Sequence, residues 1–234
     1  MKRLLVLILM LVWVPAHGHD LWLQRSQEGL TLLSGHRTGH SHKGEAELVE
    51  YRPEIVLRAD CFDVDGKRLE AVVSHESPVR ISGGCGAVFV LTSTGYWSKT
   101  AHGTKNLSKK NAQSPIKSWL SFESTKRIDG WNPAFSRPMT SDLEITPLDD
   151  PLSLGPDAEL WLLVTLQKTP VQGATITCDE EPMGVTDKDG RVAVKIRRGG
   201  FQMIEARHAV PLKSDDADES VHVTNLCFEI GKSE

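Results

Sequence analysis

Apolar and polar residues alternate with a period near two along most of the chain, in short runs broken by Gly, Pro, Asp and Ser. This is the pattern of half-buried strands rather than of amphipathic helices. It predicts strands at residues 30–35 (LTLLSG), 54–64 (EIVLRADCFDV) and 86–95 (GAVFVLTSTG), with shorter ones at 118–124 and 142–147. After residue 158 the pattern sharpens, with strands expected in 159–167, 169–178, 184–196, 199–209 and 221–230. Asp65-Gly66 and Asp189-Gly190 read as tight turns. Residues 100–113 are rich in Lys, Asn and Ser without an apolar face, and are expected to form an exposed loop. Residues 146–159 carry three prolines and four acidic residues, as a linker would. No internal repeat and no long amphipathic helix is visible. The expectation is an all-β chain of two β-sandwich-like domains, 19–148 and 149–234.

The first eighteen residues break this pattern. Lys2 and Arg3 precede an apolar run, Leu4 to Val14, that is too short to span a bilayer, and Pro15 and small residues follow. Residues 1–18 therefore read as a secretory signal peptide, and the protein as periplasmic or otherwise exported. Cleavage after Gly18 makes His19 the first residue; cleavage after Ala16 leaves His17-Gly18-His19. Losing Lys2 and Arg3 takes the formal charge from −4 to −6. A mildly acidic chain without a basic block argues against nucleic acid as partner, and no later apolar run is long enough for membrane insertion. Four cysteines in an exported chain favour disulfides. Two fall in each half, so Cys61–Cys85 and Cys178–Cys227 are expected, each within its own domain. Zinc–thiolate binding is the rival, but no C-x-x-C spacing occurs.

Histidine is where chemistry concentrates. An N-terminal histidine offers an α-amine and a ring nitrogen to a divalent metal, and the amine's pKa near 8 lets metal displace its proton. The His17-Gly18-His19 product would add two backbone amides, suiting square-planar Ni(II) or Cu(II). His36, His40 and His42 fall within seven residues among Gly35, Gly39 and Gly44. Together with His19 they make up to five nitrogen donors. His75, with Glu76 beside it, and His102 are accessory candidates; His208 and His222 read as structural or surface residues. Tyr96, Trp97 and Trp119 are candidate pocket walls, and Asp20 is a candidate to orient His19. No G-x-S-x-G, H-E-x-x-H or P-loop appears, and no spacing singles out an acid–base pair, so an enzyme is not expected.

Residues 168–206, KTPVQGATITC followed by GVTDKDGRVAVKIRRGGFQMIEA, resemble the transthyretin-like or Cna-B-like sandwich of exported proteins, with Lys168 where glycine is common. HDLWL (19–23), GYWSKT (95–100), the Ser118–Trp131 stretch, LEITPLDDP (143–151) and the closing LCFEI together resemble the DUF4198 family. Within it they resemble the periplasmic nickel-binding (NikK-type) component of energy-coupling-factor nickel/cobalt transporters. The resemblance implies capture of Ni(II), or Co(II), and delivery to an inner-membrane transporter, and it favours cleavage after Gly18. A mobile N-terminal ligand would then permit release. Two other readings stay open: a copper protein with an N-terminal histidine brace, and a non-metal adhesion or carbohydrate-binding module.

Overall fold

The computed structural model describes residues 19–27, 29–37, 46–179 and 181–231. Eighteen strands, numbered in chain order, form three sheets among these residues. The first sheet holds β1 (Asp20–Ser26), β2 (Gly29–His36), β3 (Glu47–Leu48), β6 (Val72–Val73) and β7 (Arg80–Ser82). The central sheet is built from β4 (Val56–Phe62), β5 (Arg68–Leu69), β8 (Ala87–Thr100), β9 (Gly103–Lys105), β10 (Lys117–Ile128), β14 (Thr175–Cys178), β15 (Glu181–Val185), β17 (Gly200–Pro211) and β18 (Glu219–Ile230). The third holds β11 (Glu144–Pro147), β12 (Glu159–Leu166), β13 (Thr169–Pro170) and β16 (Arg191–Lys195). The chain is all-β, and no helix of the described residues is long and apolar enough to cross a membrane.

Strand alternation gives the central sheet two apolar faces. Ala87, Ile128, Leu226 and Phe228 point one way and pack with Ile145, Leu160, Leu162 and Val164 of the third sheet. Val88 and Val90 point the other way and pack with Leu21, Leu23, Leu30 and Leu32 of the first. Strands from both sides of residue 148 share the central sheet, because β10 runs parallel beside β18 from Trp119↔Glu219 to Ile128↔Phe228. The proline-rich 146–159 segment links β11 to β12, which are themselves paired.

The expected strands and turns recur with informative differences. Asp63 takes the amides of Asp65 and Lys67 and closes the Asp65-Gly66 turn between β4 and β5. At Asp189-Gly190 the carboxylate of Asp187 takes the amides of Asp189 and Arg191. That turn carries the chain from the central sheet to the third, and a Cβ on Gly190 would lie 2.8 Å from the carbonyl oxygen of Val164. Residues 101–107 are exposed as expected, yet partly regular: β8 continues to Thr100 and folds back onto β9. Lys109 and Lys110 then tie the following segment to Asp218 and Asp216.

Cys61 and Cys85 form the expected disulfide. Cys178 and Cys227 do not pair, correcting the second expected bridge; both are free and buried. Their strands flank β17, where Cys178 lies opposite Ile204 and Cys227 opposite Met203. Successive residues of a strand face opposite sides. The two thiols therefore sit on opposite faces of one sheet, a strand apart, beyond the reach of a disulfide.

Candidate metal site

β1 and β2 form a tight antiparallel hairpin, in register from Ser26↔Gly29 to Asp20↔Gly35. One further step brings His19 opposite His36 at the open end. There Nδ1 of His19 lies 3.2 Å from Nε2 of His36, and the ring centroids are 4.9 Å apart. On the other side of β2, β3 pairs Gly35↔Leu48 and His36↔Glu47. His36 is thus central in a row of three, with His19 on one flank and Glu47 on the other, since directly opposed residues have Cβ atoms about 5 Å apart. Gly35 makes this possible. A Cβ there would fall 2.0 Å from the carbonyl oxygen of Glu47, and its φ of +152° is one that side chains disfavour. This glycine beside His36 admits a neighbouring backbone.

β1 itself was not expected as a strand. Leu21, Trp22 and Leu23 are all buried, at 2%, 1% and 0% exposure. Leu21 and Leu23 join the cluster that includes Val88 and Val90, while Trp22 packs with Met203 and Cys227. Both faces of β1 are covered, so the strand stands edge-on over β10 and β18.

Asp20 lies on the Trp22 face of β1, opposite in direction to His19, and its charge acts on Glu123 and Arg37. Arg37 follows His36 and lies over the Phe201 ring, 3.6 Å from its centroid. Glu123 is of intermediate exposure as a residue, but its carboxyl is turned inward beneath β1. Burial first, then the charges of Glu205 and Asp20, push it up to about 8, against the opposing pull of the Leu21 N–H.

The other expected residues lie apart from the histidine pair or beyond the described residues. His17, His40 and His42 lie outside them. His75 and Glu76 are exposed in the turn between β6 and β7, and His102 is exposed in the turn between β8 and β9. Neither ring is hydrogen-bonded to the pair. Tyr96 and Trp97 are half-buried on β8, where Trp97 lies opposite Trp119 and its Nε1 donates to Oγ1 of Thr94. His208 and His222 are cross-strand partners on β17 and β18, and Phe122 stacks on His222. Burial lowers the pKa of both imidazoles, and His208 lowers that of His222 further.

Among the described residues no three His, Cys, Asp or Glu side chains are already grouped to hold a metal ion. The described part supplies a juxtaposed imidazole pair, an adjacent carboxylate residue and the fixed ends of the segment that carries His40 and His42. Glu47 was missed from sequence because its role depends on register; the signal was a charged residue at the start of a two-residue strand.

A search of characterised proteins finds no match to this chain. A family model described as a domain of unknown function, DUF4198, matches residues 16–210. The match covers both the histidine-bearing hairpin and most of the C-terminal strands, and the chain belongs to the DUF4198 family.

Proposed function

We propose that the protein is an exported carrier that captures Ni(II), or Co(II), at its mature N-terminus and delivers it to an inner-membrane uptake transporter of the energy-coupling-factor type. The observation that carries this reading is the 3.2 Å approach of His19 and His36. If the signal peptide is removed after Gly18, the α-amine of His19 joins that pair. His40 and His42 follow four and six residues after His36, in a segment whose far end returns at Glu47. Imidazole and amine nitrogens suit these late first-row ions. The C-terminal strands supply a transthyretin-like framework rather than chemistry in this account.

Release is better assigned to proton uptake by the imidazoles than to a swinging N-terminus. Exposing Leu21, Trp22 and Leu23 would cost about 1.5–3 kcal/mol for each large apolar side chain, more than a routine release step would supply.

One observation favours a second reading, copper. An N-terminal histidine chelates through its amine and Nδ1, and it is Nδ1 of His19 that faces Nε2 of His36. Those three nitrogens are the donor set of a histidine brace. Copper tops the divalent affinity order, so affinity alone does not choose between the metals; expression under nickel or copper limitation does.

Calorimetric Ni(II) titration of the processed protein, His19→Ala and His36→Ala tests the site. Each substitution should weaken binding at least tenfold, about 1.4 kcal/mol. Unchanged affinity in both would remove the pair from the ligand set, and absence of binding in the wild type would favour the adhesion or carbohydrate module.

A further inference from the structure

Among the described residues, β1 is hydrogen-bonded to a partner strand along one edge only. Its other edge, formed by the N–H and C=O groups of Leu21 and Leu23, faces the central sheet and meets side chains there. The Leu21 N–H stands near enough to the Glu123 carboxyl to oppose the rise of its pKa. The Leu21 carbonyl accepts from Nδ2 of Asn225 at 2.9 Å. The Leu23 N–H likewise acts on the Cys227 thiol, against the effect of its burial. The Leu23 carbonyl accepts from a terminal guanidinium nitrogen of Arg127 at 3.1 Å. Two side-chain donors thus bind the carbonyls of this edge, with an acidic and a thiol side chain placed beside its N–H groups.

We propose that Glu123, Asn225, Cys227 and Arg127 are positioning residues that clamp the outer edge of β1 and thereby set His19 against His36. The proposal rests on the metal-capture reading for its purpose, but not for its geometry. The clamp residues are themselves held in place. Arg127 is fixed by Asp129, and Cys227 lies 3.6 Å from Oγ1 of Thr125. They also carry costs that packing alone would not select. Among the described residues Oδ1 of Asn225 is buried without a hydrogen-bond partner, while the Glu123 carboxyl sits near the charges of Glu205 and Asp20. Departures from local satisfaction of this kind are expected where function fixes geometry.

The consequence is register. A hairpin strand that slips by two residues keeps its apolar face inward but moves about 7 Å along its partner. Such a slip would part His19 from His36. A row of side chains with fixed donor and acceptor order does not tolerate it. Leu21, the first clamped residue, is only two positions from His19 and on the same face, so the clamp acts close to the proposed ligand.

The test uses the full processed chain carrying Asn225→Ala, Glu123→Ala or Glu123→Gln, the last retaining an acceptor for the Leu21 N–H. Measured without metal by NMR, both alanine variants should speed amide exchange of Leu21 and Leu23 at least tenfold. They should also lose the nuclear Overhauser contact between the His19 and His36 rings, while amides of β17 and β18 keep wild-type exchange. Glu123→Gln should restore both signals. Ni(II) titration should follow the same order, with affinity at least tenfold weaker in the alanine variants. Retention of the ring contact in the alanine variants, or loss of protection throughout β18, would overturn the proposal. A wild-type protein that takes up no Ni(II) would overturn the metal reading, while the metal-free signals would still decide the clamp.

Discussion

His19 and His36 stand seventeen positions apart in sequence, yet the hairpin register makes them neighbours. A donor set of imidazoles and an amine competes with protons, so Ni(II) affinity should fall as pH drops below about 6. Calorimetry at pH 7.5 and pH 5 checks this; equal affinity at both would mean other ligands. Glu123 predicts an opposite trend in stability. Its carboxyl is pushed up to about 8 in the folded protein from an ordinary 4.5, so the folded state holds the proton more tightly than the unfolded chain. Its stabilising contribution is full below the unfolded value and is lost as pH rises through the folded one. Urea unfolding of wild type and Glu123→Gln should therefore diverge from pH 5 to pH 8, the variant gaining relative stability as pH rises. A constant difference across that range would contradict the burial of this carboxyl. The histidines were legible as chemistry in the sequence. Glu123 was not, because a polar residue within SFES looks like the solvent side of a strand until β1 covers it.

The hairpin and the clamp act at the scale of elements. Strands such as β8, β10, β12 and β18 were legible because their alternation runs long enough to register. β1 was not. Buried on both faces, it shows no alternation, and its LWL core follows closely on the apolar run of residues 4–14. β3, β6, β9 and β13 are too short to carry any period. Between β10 and β11 the structure relies on a buried ion pair, Lys126 Nζ to Glu144 Oε1 at 2.8 Å, with side-chain exposures of 1% and 0%. Glu144 also takes the amides of Met139 and Thr140 and the Thr140 hydroxyl. Removing one partner strands the other charge, so Glu144→Ala should destabilise by about 3–5 kcal/mol. Chemical denaturation checks this, and a loss below about 1 kcal/mol would mean that the pair is not enclosed.

At the scale of the whole molecule, a shared central sheet joins the strands of both halves, with one sheet packed on each face. Two sandwich-like stacks were legible from strand density. The sharing of a sheet was not, because the parallel β10–β18 pairing joins residues about a hundred positions apart. The same topology decides the cysteines. Denatured, unreduced protein should release two titratable thiols per chain, and native protein almost none, since Cys178 and Cys227 are buried. Burial, with the charge of Asp179, raises the Cys178 thiol to about 11, which further slows its reaction. No thiols in denaturant would mean that a second bridge forms after all. Opening Cys61–Cys85 should cost about 3 kcal/mol from the loop it closes.

The central claim, that processing creates a metal ligand beside His36, is tested most directly by Ni(II) calorimetry on chain beginning at His19 against the same chain extended by Gly-Ser. One-to-one binding that weakens at least a hundredfold on extension is the predicted result. Equal binding by both chains would contradict the claim, because the α-amine of His19 would then have no part in the site.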